Sequence, residues 1–213
     1  SSSPFNSAHN FHVLDQNNNW IEPTKLVIKD GTTKIYYNQV NFYSLEEVTI
    51  PSSITSIEGG NFYYCENLVN VYYNGTINDW LNININDWSS NPMYRADNFY
   101  VQNENGEYYL LVDLILPEGS TEISYGRFAG NKSIKNVYIP KSIETIDYEA
   151  FYECYNLENV YYYGSLEDWL KIDFGSWSSN PMQYAKNFYV LDENNNWIKP
   201  TKVVIPEGTI VVP

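Results

Sequence analysis

The sequence predicts an α/β repeat protein: a strand-dominated solenoid with short helical turns and inserted β-hairpins. Three observations carry that prediction. The stretch from Ser44 to Leu68 recurs as Ser133 to Leu157, with Leu45 and Ile134, and Cys65 and Cys154, each 89 residues apart. Short apolar-x-apolar triplets run through the chain, and the intervals between their middle residues, 15, 22, 23, 28, 15, 23, 23, 28 and 15, close on themselves. Proline and inward-spaced isoleucines punctuate the turns at matching offsets, as at Pro51, Ile54 and Ile57 and again at Pro140, Ile143 and Ile146. A fixed internal period marks stacked units that bury a continuous core only together. The expectation is one solenoid over residues 1–213, with super-repeats at about 1–88 and 89–177 and a truncated third at 178–213.

The triplets Phe11 to Val13, Leu26 to Ile28, Val48 to Ile50, Val71 to Tyr73, Phe99 to Val101, Leu114 to Leu116, Val137 to Ile139, Val160 to Tyr162, Phe188 to Val190 and Val203 to Ile205 are read as rungs of one ladder. At ~4.8 Å between strands, ten rungs give a body about 40 Å long. Pro51 and Pro140 end their strands where a missing N–H breaks no ladder bond. Phe62, Cys65 and Leu68 are spaced by three, which suits a brief 3₁₀ or α segment. In the longer interval, Thr76 to Asp79 and Ser165 to Asp168 read as capping boxes ahead of a helix of one or two turns. Asn91-Pro92 and Asn180-Pro181 mark a second helix start in each copy. The 15-residue interval is too short for a coil and reads as a hairpin, turning at Asn105-Gly106 and at Asn194 to Asn196.

Composition narrows the function. With 43% apolar and 17% aromatic residues the chain can bury a core. Its 26 acidic against 12 basic residues, net −14, repel phosphate, which excludes nucleic acid and anionic membrane as partners. No window has the ~18 unbroken apolar residues of a membrane span, and the first residues carry no signal peptide. Both ends cut through the repeat, so the chain is read as a piece of something longer. Cys65 and Cys154 should stand ~19 Å apart, four coils at the strand spacing, beyond the ~7 Å between Cα atoms that a disulfide tolerates. They are read as small buried hydrophobes.

The pattern S-L-x-x-V-x-I-P-x-x-I-x-x-I-x-x-x-x-F-x-x-C-x-x-L, with Cys65 and Cys154 at the turn, resembles the BspA-like (treponemal-type) leucine-rich repeats. The insertion from Trp169 to Tyr189 is similar to inserts in members from gut Firmicutes. The first coil departs from the pattern, with Val40 for the expected Phe and Lys29 for the expected Pro. The resemblance covers nearly the whole chain. It implies a right-handed leucine-rich-repeat solenoid on a secreted or surface-attached bacterial protein that takes part in adhesion or in host or glycan contact, and it transfers no catalytic residues.

If the outer residues of each triplet enter the core, the middle one faces out on the concave sheet. That puts Tyr72, Tyr100, Tyr138, Tyr161 and Tyr189 on one face. Asn70, Asn98, Asn136, Asn159 and Asn187 stand beside them. Tyrosine offers flat apolar area and a hydroxyl, and asparagine a donor and an acceptor, which together suit a protein partner. The same residues also have ordinary reasons to be there, because tyrosine favours strands and tyrosine pairs stabilise sheets. The alternative is a carbohydrate module stacking sugars on exposed Trp88 and Trp177, with Trp80 and Trp169 left to the core. A plain spacer needs no site.

Asp15 and Asp192 open D-x-N-x-N runs, but Trp20 and Trp197 stand where a calcium loop needs glycine, so both read as turns. Every polar cluster is duplicated, and His9 and His12, both in the truncated first copy, have Asp97 or Lys186 and Tyr100 or Tyr189 as their counterparts. No unique constellation for catalysis, metal or cofactor emerges. The expected partners are a host or bacterial surface protein or a glycan, met by a monomer at the cell surface or outside the cell.

Overall fold

The computed structural model describes residues 12–201. In chain order β1 (Val13–Leu14) and β2 (Trp20–Ile21) are followed by β3 (Lys25–Val27), β4 (Lys34–Ile35), β5 (Glu47–Pro51), β6 (Ser56–Ile57), β7 (Asn70–Asn74), α1 (Ile77–Leu81), β8 (Asn84–Ile85), β9 (Asn98–Gln102) and β10 (Tyr108–Leu110). The second half repeats the order with β11 (Asp113–Ile115), β12 (Glu122–Ile123), β13 (Asn136–Ile139), β14 (Thr145–Ile146), β15 (Asn159–Tyr162), α2 (Leu166–Trp169), β16 (Asp173–Phe174), β17 (Asn187–Leu191) and β18 (Trp197–Ile198). This is the strand-dominated repeat architecture that the periodicity predicts, of the leucine-rich kind that the resemblance implies.

The single ladder is in fact two. One sheet runs β10-β9-β7-β5-β3 and the other β11-β13-β15-β17-β18, each parallel except for its hairpin strand. The cause lies in the hairpin itself. β10 returns antiparallel on β9 and takes the edge that β11 would need, so the next coil starts a fresh sheet. The hairpins do share a sheet with the preceding strand, as expected. Phe11 lies outside the described residues, and Val13, the last of its triplet, joins neither sheet, since β1 pairs with β2 in a two-stranded ribbon. The Val203 triplet and His9 lie outside the described residues. Two narrow parallel sheets, β4-β6-β8 and β12-β14-β16, carry Ile35, Ile57, Ile85, Ile123 and Ile146 into the core.

Buried apolar residues from Ile35 to Val190 form one cluster that crosses the break between the sheets. The register explains the continuity: Val48 pairs with Val71 and Val71 with Phe99, while Val137 pairs with Val160 and Val160 with Phe188, so like residues stack inward. Phe62, Cys65 and Leu68 point inward as expected, but through successive tight turns, with Cys65 N donating to Phe62 O at 3.0 Å and Leu68 N to Cys65 O at 3.0 Å, and without a helix.

Both capping boxes are present. Thr76 and Asp79 exchange side-chain to backbone bonds, as do Ser165 and Asp168. Asn91 Oδ1 accepts from Met93 N, and Asn180 Oδ1 from Met182 N, at the start of 3₁₀ turns Pro92–Tyr94 and Pro181–Gln183. Additional 3₁₀ turns form at Trp88–Ser90 and Trp177–Ser179. Cys65 and Cys154 are free and buried, and burial pushes both thiols up to about 12.

Candidate functional site

Because the sheets are two, the outward tyrosines form two rows. In the first, Tyr72 and Tyr100 stack with centroids 4.8 Å apart and planes at 10°. In the second, Tyr138, Tyr161 and Tyr189 stack at 4.6 and 4.7 Å, with planes at 6° and 9°. The spacing follows the strand separation, so rings in register cover one another's faces. All five are half-buried. A partner therefore meets edges and hydroxyls, and a sugar finds no open ring face between neighbours. Burial raises the phenol pKa of Tyr72, Tyr138 and Tyr161, and neighbouring tyrosines push the same way, so the hydroxyls keep their protons and can donate.

The expected asparagines are there, but they bond to one another along the solenoid. Lys199 Nζ donates to Asn187 Oδ1 (2.7 Å), Asn187 Nδ2 to Asn159 Oδ1 (2.8 Å), Asn159 Nδ2 to Asn136 Oδ1 (2.6 Å), and Asn136 Nδ2 to Asp113 Oδ1 (2.6 Å). A shorter run in the first sheet has Asn98 Nδ2 donating to Asn70 Oδ1 at 2.9 Å. These amides align the rows and leave each Asn fewer groups for a ligand.

Trp197 is legible in the sequence as a tryptophan after a hairpin turn, but not as a ring set against the tyrosine row, and Tyr108 was missed. Tyr108 meets Tyr72 edge-on at 5.2 Å, and Trp197, 89 residues later, meets Tyr161 at 5.2 Å and Tyr163 at 5.0 Å. Tyr108 Oη also donates to Asn74 Oδ1. Each antiparallel return thus drops an aromatic ring onto the middle of a tyrosine row. The signal was the shared offset of Tyr108 and Trp197, readable only once the direction of the hairpin strand is known. Lys199 adds a cation 5.3 Å from the Tyr189 ring centre.

The two tryptophans of the alternative reading differ. Trp88, which the carbohydrate alternative needs exposed, is half-buried against Tyr94 at 4.4 Å and Tyr152 at 6.1 Å, because the following coil covers it. Trp177 is 72% exposed. Trp80 and Trp169 are core residues, edge-on to Tyr73 and Tyr162. Asp15 and Asp192 each spend one carboxylate oxygen on two backbone N–H groups of their own turn. Asn103 does the same with an amide oxygen, so the turn requires no charge and no cation. Among the described residues no group of three or more His, Cys, Asp or Glu gathers, and no helix is long and apolar enough to cross a membrane.

Repeated coils with inward Leu, Ile and Cys and a ladder of short parallel strands define a leucine-rich-repeat protein. The family model described as "BspA type Leucine rich repeat region" matches six copies over residues 18–86 and 107–194, and the chain belongs to that family. No curated protein matches. Among solved structures the chain is similar to a leucine rich cell surface protein from Faecalibacterium prausnitzii A2-165, at 18% identity and a TM-score of 0.33, over 76% of this chain and 40% of that one.

Proposed function

We propose that this chain is a non-catalytic binding module of a bacterial surface or secreted protein, and that the two tyrosine rows are its interface for a protein partner. Membership of the BspA-type repeat family supports the module reading. The observation that carries the interface is the pair of matching rows, whose half-buried rings expose edges and hydroxyls rather than faces. Rigid tyrosines order few side-chain rotors on binding, and their hydroxyls supply directional bonds to main-chain groups of a partner. The net charge of −14 favours a neutral or basic partner surface.

The test is an extracellular-protein array run beside a glycan array. Protein binding that falls on joint Tyr138→Phe, Tyr161→Phe and Tyr189→Phe, which keeps the stack and removes the hydroxyls, supports the reading. Glycan binding that is lost with Trp177→Ala and survives the phenylalanine changes would replace it with the carbohydrate reading, which the exposure of Trp177 favours. Silence on both arrays leaves a spacer.

A further inference from the structure

The two super-repeats are joined by a clasp built around a buried arginine. Arg127 is 4% exposed, and its Nη1 donates to Trp80 O at 3.0 Å and to Ile83 O, the carbonyls at and just past the end of α1. Burial pulls its guanidinium down to about 10, which leaves it charged at neutral pH. The bonds are returned. Asn91 Nδ2 donates to Gly126 O (3.0 Å) and Arg127 O (3.1 Å), and the Trp80 indole to Arg127 O at 3.4 Å. Gly126 has φ +56°, and a Cβ there would sit 3.3 Å from the Trp88 Cα, so the residue before the arginine must be small. The position four residues after Ile123 is Arg127, and the matching positions after Ile35, Ile57 and Ile146 hold Gln39, Asn61 and Ala150. The arginine thus occurs in one coil only, and Gln39, 88 residues earlier, holds the same place in the coil after the first hairpin.

Past α2 the receiving half of the clasp is repeated. Trp169, Ile172, Trp177, Asn180 and Met182 stand 89 residues after Trp80, Ile83, Trp88, Asn91 and Met93. Among the described residues nothing answers them. Asn180 uses Oδ1 to accept from Met182 N at 2.9 Å, and its Nδ2 has no partner there. The indole N–H of Trp169, a side chain 6% exposed, has none either. Asn91 is 0% exposed under the clasp, whereas Asn180 borders an open cavity of about 680 Å³ with Phe174 and Met182. The chain's two arginines, Arg95 and Arg127, are both engaged, Arg95 between the rings of Tyr63 and Tyr94.

We propose that this face is a docking site for a Gly-Arg-Phe loop of the 126–128 kind, presented by another repeat unit from outside these 213 residues. The guanidinium reaches the carbonyls of Trp169 and Ile172. The loop's own carbonyls take the free N–H groups of Asn180 and Trp169, and the loop covers Trp177.

The experiment extends the chain after Pro213 with a second copy of residues 125–158, since Pro213 stands 89 residues after Ser124. Iodide quenching of Trp177, taken as the difference from a Trp177→Phe chain, should fall to the level of Trp88, and the Trp169 indole proton should shift by NMR. Replacing the appended arginine with alanine should weaken docking by roughly 10- to 100-fold, the effect of losing a charge-assisted bond, and expose Trp177 again. Asn180→Ala in the extended chain should act in the same direction. Equal protection with alanine in place of the arginine would overturn the proposal. So would a Trp177 as accessible as in the 213-residue chain, including the case where the appended coil stays unfolded.

Discussion

Asn91→Ala and Asn180→Ala remove the same atoms from equivalent sites and should differ in cost. Both lose a cap, the 3.1 Å bond from Met93 N or the 2.9 Å bond from Met182 N. That loss is typically ~1 kcal/mol. Asn91 also gives two bonds, to Gly126 O and Arg127 O, in a fully buried place, and its removal loses both, although Ala129 N and the Trp80 indole still reach those carbonyls. At ~1 kcal/mol for each, the usual net contribution of a hydrogen bond, Asn91→Ala should cost about 3 kcal/mol and Asn180→Ala about 1 kcal/mol. At roughly 2–4 °C per kcal/mol for a chain of this length, the melting points should fall by about 6–12 °C and 2–4 °C. Calorimetry, with urea midpoints read at unchanged slope, measures both. Equal losses would refute the reasoning, because the buried Asn91 bonds would then contribute nothing beyond the cap.

Asp168 is held well below the ordinary carboxylate value of 3.8, first by the bond from Lys141 and then by those from Lys171 and Ser165. A depressed folded value contributes stability above pH 3.8 that fades as pH falls below it, so Asp168→Asn should be less stable at pH 7 by about 1–2 kcal/mol and converge on the parent in acid melts. A gap that widens in acid would contradict this. Gly75→Ala and Gly164→Ala would each bring a Cβ within 2.7 and 2.6 Å of the buried rings of Tyr73 and Tyr162, and should cost about 1–3 kcal/mol in urea unfolding. Cys65 and Cys154, buried with thiols near 12, should resist a thiol reagent at pH 8 until the chain is unfolded, and stoichiometric labelling of the native protein would count against the packing described.

The strands were legible because alternation with inward Val, Ile and Phe leaves a period-two trace, and the helix starts were legible because Thr76, Ser165, Asn91 and Asn180 act within three residues of themselves. The break in the ladder was not. Asn105-Gly106 announced a hairpin, but no residue says that Tyr108–Leu110 occupies the edge β11 would otherwise use. The tyrosines were placed on the correct face, yet their stacking and the mutual bonding of the asparagines depend on rows coming into register across coils 23 to 28 residues apart. Arg127 was invisible for the opposite reason. It occurs once, in a loop, without periodicity, and its role depends on Trp80, 47 residues earlier.

The asparagine relay constrains how such a body can grow. Its amides all point one way, from the Lys199 ammonium to the Asp113 carboxylate, so opposite charges sit where the aligned dipoles need them. A whole coil gained or lost between those ends would lengthen or shorten the wire without changing its terminals. A single residue gained or lost within a strand would swing that strand's amide to the opposite side and cut it. Duplication by complete units is thus the change this architecture tolerates most cheaply.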